Sequence, residues 1–183
     1  MLKKFLGGFS MYQLVIIALM AGLGVATKPI VVPLAHIITG PLYIPGGVIA
    51  GGFYMMWLVL GAGLVAKRGT ATLISAVQAV MVVSLGIYGT HGLVSFLTYI
   101  IPGVAVDLTL LLSRKPAQTL ISCFLAGIAA NISGSFLVNL VFFRLPLIPL
   151  ILALSSAALS GGLGGVIAYS VIVRFSKLDP GGS

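Results

Sequence analysis

The clearest candidates for contact with a small molecule lie in the stretch SLGIYGTHGLVSF, residues 84–96, and in the apolar run that it begins. Tyr88, His91 and Tyr99 have flat rings with polar edges, which can stack on a heterocycle and hydrogen-bond to it. Tyrosines near a membrane surface often only anchor a protein at the interface, and a histidine in a turn can simply be solvated. We predict a ligand-binding role for these three side chains and keep surface positions as the alternative.

A second group of polar and aromatic side chains comes from the stretch KPIVVPLAHIITGPLYIP, residues 28–45, which holds His36 and Tyr43. Its four prolines make it too broken for a full membrane span, and it is too apolar for a free loop. We therefore predict that it packs back onto the bundle as a lid or re-entrant cap. His36 and Tyr43 would then face the same site as the first group.

Three hydrogen-bonding side chains recur at every fourth position of the fifth apolar run: Asn131, Ser135 and Asn139. On a helix they would share one face in its outer half. Polar residues at membrane depth are costly and usually face the protein interior. We predict that they form a wall of the binding site, with interhelical hydrogen bonding as the alternative. Gln78 and Trp57 are interpreted mainly as interhelical packing, with a pocket floor as the alternative.

Other kinds of chemistry find little support. The two histidines have no carboxylate near them and do not form a metal site. Paired carboxylates, a serine-hydrolase signature and a phosphate-binding loop are all missing, so we predict no enzyme activity and no cofactor. Asp107 is the one acidic residue inside an apolar run. It is predicted to pair with Arg114 or, when protonated, to bond a neighbouring helix; a proton-coupling carboxylate is the alternative.

These side chains must be positioned by a membrane-embedded fold. Of the 183 residues, 60% are hydrophobic, which is more than a soluble domain of this size can bury. The net charge of +8 comes from short clusters between apolar runs, which indicates topology and not nucleic-acid binding. We predict an all-α membrane protein whose six transmembrane helices are at about 11–27, 46–66, 70–88, 93–113, 117–142 and 147–173.

The positive charges predict the orientation. With the N-terminus inside, eight of the ten lysines and arginines lie on the cytoplasmic side, and only Lys28 and Arg144 lie outside. Both termini are thus predicted to be cytoplasmic, in a single domain of the cell membrane that covers residues 1–180. We interpret residues 1–26 as an uncleaved first helix and residues 181–183 as a cloning remnant.

Small residues recur every four positions on the first and last segments. Stripes of this kind let helix backbones approach closely. They predict either packing within the bundle or a docking surface for another membrane protein. The two stripes are Ala18, Gly22 and Ala26, and Ala157, Gly161 and Gly165.

The six-segment pattern, the capping first loop and the small-residue stripes resemble the substrate-binding S components of energy-coupling factor (ECF) transporters. The stretches nearest to a signature are GPLYIPGGVIAGGFYMMWLVLGAGLVAKRGTA, GIYGTHG and PGVAVDLTLLLSRKP. They are most similar to the S components assigned to hydroxymethylpyrimidine or thiamine.

The resemblance implies that the chain binds a vitamin or vitamin precursor from the outside and topples to release it inside. A transmembrane coupling protein and two ATPase subunits would supply the energy. Ala18, Gly22 and Ala26 would contact the coupling protein, in place of the family's Ala-x-x-x-Ala stripe. The outer half has no acid, which favours a neutral heterocycle over cationic thiamine. The alternatives are a stand-alone carrier with Asp107 as its proton-coupling group and a non-transporting membrane assembly subunit.

Overall fold

Helices account for the regular structure of the residues described, as the continuous apolar runs predict. The computed structural model describes residues 8–42, 44–86, 94–113 and 118–178. A 3-10 turn, Gly40–Leu42, follows the first helix, and a π-helical turn, Asn139–Phe143, extends the fifth. The helices are α1 (Met11–Thr39), α2 (Gly46–Val65), α3 (Thr70–Leu85), α4 (Val94–Leu112), α5 (Leu120–Val138) and α6 (Leu147–Leu178).

The first helix is longer than the sequence predicts. It continues to Thr39, so the predicted lid or re-entrant cap is wrong for most of residues 28–45. Pro29 and Pro33 lie inside the helix, and each removes one backbone donor. Unwinding the whole segment would leave many more backbone groups unsatisfied in an apolar environment, so the helix persists through both prolines.

In the part of the chain that the structure describes, four helices are long and apolar enough to cross a membrane: α1, α2, α5 with its π-helical turn, and α6. The other two, α3 and α4, are apolar but shorter. The long helices differ in how far the bundle encloses them. In the most apolar 18-residue stretch of α2, 67% of the residues are buried, whereas in that of α1 only 22% are buried. Helix α2 is therefore central, and α1 is peripheral.

The stripe of small residues on α6 packs inside the bundle. Gly161 faces Gly127 of α5, and a Cβ added to either glycine would overlap the backbone of the other. Gly165 lies equally close to the backbone of Cys123, and Ala157 is fully buried. The helices touch through their backbones here, so this stripe serves packing within the bundle and not docking.

Asp107 of α4 caps the amino end of α3. Its Oδ2 accepts hydrogen bonds from the backbone nitrogen of Thr72 at 2.7 Å and from Thr72 Oγ1 at 2.6 Å, and its Oδ1 accepts one from the nitrogen of Ala71 at 3.4 Å. The residue before α3 is Gly69, with φ of 80°, which has no side chain for this purpose. The carboxylate therefore satisfies first-turn donors and ties α4 to α3. Arg114, the predicted ion-pair partner, lies outside the described residues.

Candidate functional site

A cavity lies between α1, α2, α3 and α4. Its enclosed volume is about 20 Å³, and the empty space reaches about 320 Å³ when the open mouth and the solvent in it are included. Sites for small molecules usually combine apolar walls with a few well-placed polar groups, and this cavity has that character. It is lined by Gly24, Lys28, Tyr54, Met55, Leu58, Gln78, Thr98, Tyr99 and Pro102.

Lys28 supplies the positive charge of the cavity. Its Nζ donates a hydrogen bond to Tyr99 Oη at 2.9 Å. The same nitrogen lies 4.4 Å from the centroid of the Tyr99 ring and 5.3 Å from that of Tyr54. Two aromatic faces and a phenol oxygen stabilise an ammonium group that the apolar helices would otherwise exclude. The cavity is thus cationic with aromatic walls.

Tyr54 and Trp57 of α2 are held in place by hydrogen bonds beside this cation. The hydroxyl of Tyr54 donates to the carbonyl oxygen of Gly47 at 3.0 Å. Trp57 Nε1 donates to Thr27 Oγ1 at 3.2 Å, which joins α2 to α1 one residue before Lys28. These bonds fix where the aromatic side chains of α2 lie relative to the ammonium.

Gln78 enters the cavity from α3. Only 5% of the residue is exposed, and its Nε2 is buried without a hydrogen-bond partner in the described part of the chain. Gly24 of α1 allows this placement, because a Cβ there would overlap Nε2. A buried donor left unused is uncommon in native proteins. The arrangement supports the pocket-floor interpretation of Gln78.

Asn131 lies in the helix packing beside the cavity and does not line it. The residue is fully buried, and its Nδ2 donates to the carbonyl oxygens of Val48 and Ala157, both at 2.9 Å. Gly51 packs so closely that an added Cβ would overlap the amide. The side chain joins α5 to α2 and α6, which matches the alternative of interhelical hydrogen bonding.

The other predicted site residues are spread along the fold. Asn139 is buried, and its Oδ1 accepts a hydrogen bond from the backbone nitrogen of Leu145 at 2.9 Å, so it secures the turn before α6. Ser135 is half-buried on α5, His36 is exposed on α1, and neither lines the cavity. Tyr99 is the predicted residue that does. Tyr43, Tyr88 and His91 fall outside the described residues, and their role stays a prediction.

The sequence of this four-helix cavity region also matches a known family. Residues 12–133 match a family model described as ABC-type cobalt transport system, permease component. The chain belongs to this family. It is therefore a membrane transport component and not an enzyme. The matched range contains every residue that lines the cavity.

The fold of this permease-family chain resembles a solved structure described as the crystal structure of an S-component of ECF transporter. The two superpose with a TM-score of 0.77 over 93% of this chain and 87% of that chain. Their sequences are 18% identical, so the likeness establishes the fold. No curated protein matches the sequence significantly.

The stripe of small residues on α1 is exposed on the surface of the bundle. Ala18 and Ala26 are exposed, and a Cβ added at Gly22 would meet nothing within 4 Å. Ala21 and Val25, on another face of the same helix, are buried in the core. The stripe therefore points away from the bundle, in contrast to the stripe on α6.

The position predicted for Lys28 is wrong. The charge count assigns it to an outer loop, whereas it lies inside α1 and lines the cavity. A signal was present, because Lys28 is a lone cation between two long apolar stretches. Such a residue inside a membrane helix usually faces a cavity or a partner. Tyr54 carries no comparable signal, since its neighbours are equally apolar and aromatic.

Proposed function

We propose that this chain is the substrate-specific membrane subunit of an ATP-driven importer of the ECF type. It binds a small vitamin or vitamin precursor from the extracellular side. The best candidate is a heterocycle related to hydroxymethylpyrimidine or thiamine. The observation that carries the proposal is the cavity of Lys28, Tyr54, Gln78 and Tyr99, which sits in a chain of a transport family with the S-component fold.

The side chains of the cavity disfavour a cationic ligand and suit one that accepts hydrogen bonds. Tyr54 and Tyr99 offer aromatic faces for a flat ring. The ammonium of Lys28 can donate but cannot accept a hydrogen bond, and it disfavours a nearby positive charge. Among the lining residues that the structure describes there is no carboxylate to offset it. A neutral aminopyrimidine therefore fits better than thiamine itself, which carries a cationic ring.

The partners in this proposal are a transmembrane coupling protein and two ATPase subunits. The exposed stripe of Ala18, Gly22 and Ala26 is the surface on which the coupling protein would dock. Small residues let another helix come close, and the low burial of α1 leaves this surface open. The proposal includes six membrane spans in the cell membrane with both termini in the cytoplasm. The shorter α3 and α4 would cross with the help of bilayer thinning or flanking residues.

A cobalt ion is the second candidate ligand, because the family description names cobalt transport. Co²⁺ binds through nitrogen, oxygen and sulfur ligands, of which histidine, cysteine and carboxylates are the usual protein sources. Among the residues that the structure describes, no three of these side chains form a group that could hold a metal. The Lys28 ammonium also repels a divalent cation inside the cavity. The heterocycle is therefore better supported.

The remaining alternatives fit the structure less well. A stand-alone proton-coupled carrier would need Asp107 to titrate during transport, yet its oxygens serve the first turn of α3. An assembly subunit without a ligand would have no use for a buried ammonium and an unpaired amide in one cavity. The assembly-subunit alternative predicts that the purified protein binds no heterocycle, whereas the carrier alternative predicts uptake driven by a pH gradient.

Native mass spectrometry of the purified protein, followed by calorimetric titration with hydroxymethylpyrimidine, thiamine and Co²⁺, tests the proposal. We expect hydroxymethylpyrimidine to bind most tightly and Tyr99→Ala to weaken it by about tenfold or more, because a stacking face is lost. Tyr12→Ala is the matched control, since Tyr12 is 73% exposed at the other end of α1. Binding of Co²⁺ alone, or equal affinity in both variants, would contradict the proposal.

A further inference from the structure

We infer that Gln78 is a specificity-determining residue, which donates a hydrogen bond from its side-chain amide to an acceptor atom of the ligand. The inference rests on the proposed function and deepens it by naming the side chain that would select a neutral nitrogen heterocycle with acceptors on two edges. One edge meets Gln78 of α3, and the other meets Lys28 of α1.

The first observation is the unused donor itself. Nε2 of Gln78 is buried and lacks a hydrogen-bond partner among the described residues, although the residue belongs to the lining of the cavity. Placing an amide in an apolar interior is unfavourable unless its hydrogen bonds are made. A ligand acceptor in the cavity would complete them, so binding would remove an unfavourable feature of the empty protein.

The second observation is how the neighbouring helix is fitted to this amide. Gly24 of α1 lies where any larger residue would overlap Gln78 Nε2. The same helix carries Lys28 one turn further along, and Lys28 also lines the cavity. The two polar donors therefore enter one space from different helices.

The third observation is the balance of donors and acceptors. Lys28 supplies an ammonium, which only donates, and the lining residues hold no carboxylate. The acceptors among the lining side chains are uncharged oxygens, those of Tyr54, Thr98, Tyr99 and Gln78. A diazine ring has two ring nitrogens that accept hydrogen bonds in its plane, while its faces suit Tyr54 and Tyr99.

Three ligands and three proteins test the inference. The probes are hydroxymethylpyrimidine and its two pyridine analogues, each with one ring nitrogen replaced by CH. One analogue lacks the ring nitrogen that would face Gln78. We expect wild-type protein to bind this analogue about tenfold more weakly than hydroxymethylpyrimidine, because the amide of Gln78 again lacks a partner. Gln78→Met should bind that analogue and hydroxymethylpyrimidine equally.

The Gln78→Met variant keeps the length of the side chain and removes the buried polar atom that lacks a partner among the described residues. It should therefore fold at least as well as wild type. Gel filtration and thermal unfolding check this. Ser75→Ala is the control, because Ser75 is buried on the same helix but does not line the cavity. It should keep the tenfold discrimination.

Two outcomes would overturn the inference and can be told apart. If wild-type protein binds hydroxymethylpyrimidine and Gln78→Met still discriminates against the analogue as strongly, the role of Gln78 is wrong and the proposed function stands. If wild-type protein binds none of the three probes, the proposed ligand fails and the inference fails with it.

Discussion

The ammonium of Lys28 donates a 2.9 Å hydrogen bond to the phenol oxygen of Tyr99, across the cavity from α1 to α4. Lys28 belongs to the peripheral helix of the bundle, and Tyr99 lies in the second turn of a helix that begins at Val94. A ligand acceptor that reaches Lys28 would compete with Tyr99 Oη. Ligand binding and the contact between these two helices are therefore expected to be coupled.

Replacing the cation should separate binding from stability. Lys28→Met removes the ammonium but keeps an unbranched apolar side chain. We expect ligand affinity to fall by about tenfold or more, since a charge-assisted hydrogen bond is lost. Unfolding should not become easier, because a charge no longer has to be buried between helices. Calorimetric titration and thermal unfolding measure the two effects. A large drop in Tm would mean that Lys28 mainly supports the fold.

Removing the cap on α3 should weaken the fold. Asp107→Ala leaves the backbone nitrogens of Ala71 and Thr72 without their carboxylate acceptor, so we expect a loss of about 1–3 kcal/mol in unfolding free energy. Thr72→Ala keeps the carboxylate and should cost less.

Uptake into liposomes should not depend on a pH gradient in wild-type protein. Gradient-driven uptake that disappears in Asp107→Asn would instead establish the carrier alternative.

The two glycine environments predict opposite tolerance to one added methyl group. Gly127→Ala would push a Cβ into the backbone of Gly161 and should destabilise the protein by about 1–3 kcal/mol. Gly22→Ala adds the same atom where nothing lies within 4 Å and should be neutral or slightly stabilising. Thermal unfolding in detergent compares them. Equal losses would show that the α1 stripe is also packed.

The uncovered stripe predicts a variant that binds but does not transport. Gly22→Phe places a bulky ring on the proposed docking surface, so uptake in cells and co-purification with the coupling protein should be lost. Ligand affinity of the isolated protein should stay unchanged, because the stripe faces away from the bundle. Leu34→Phe is the control, as Leu34 is 58% exposed on the same helix outside the stripe. Full uptake by Gly22→Phe would show that the stripe is not part of the interface with the coupling protein.

Much of the helical plan could be predicted from the sequence, because a bilayer forces long apolar runs into helices. The described helices α2 to α6 begin and end close to the predicted segments. The prediction fails for α1, because the effect of proline on a helix in water does not carry over to a helix in lipid. In lipid there is no solvent to accept the backbone groups that a break would release, and so the helix continues past Pro29 and Pro33.

The site is harder to predict, because the role of each polar side chain depends on which helices pack around it. Asn131 and Gln78 are both amides inside apolar helices, and nothing local in the sequence distinguishes them. One meets two backbone carbonyls at a crossing of helices, and the other reaches a cavity with its nitrogen unused. The prediction for Lys28 fails for a related reason, since a first helix that ends before Lys28 places this residue in an outer loop, whereas α1 continues to Thr39.

The contact between Gly127 and Gly161 has a consequence for how this protein could acquire new ligands. Helices that touch through bare backbone have no room for added atoms, so that half of the molecule is closed to most single substitutions. Lys28 and Tyr99 line the open cavity and have no such restriction, although Gln78 packs closely against Gly24. Laboratory evolution toward a different cargo should therefore accumulate its changes on α1, α3 and α4 and leave the glycine-lined half as it is.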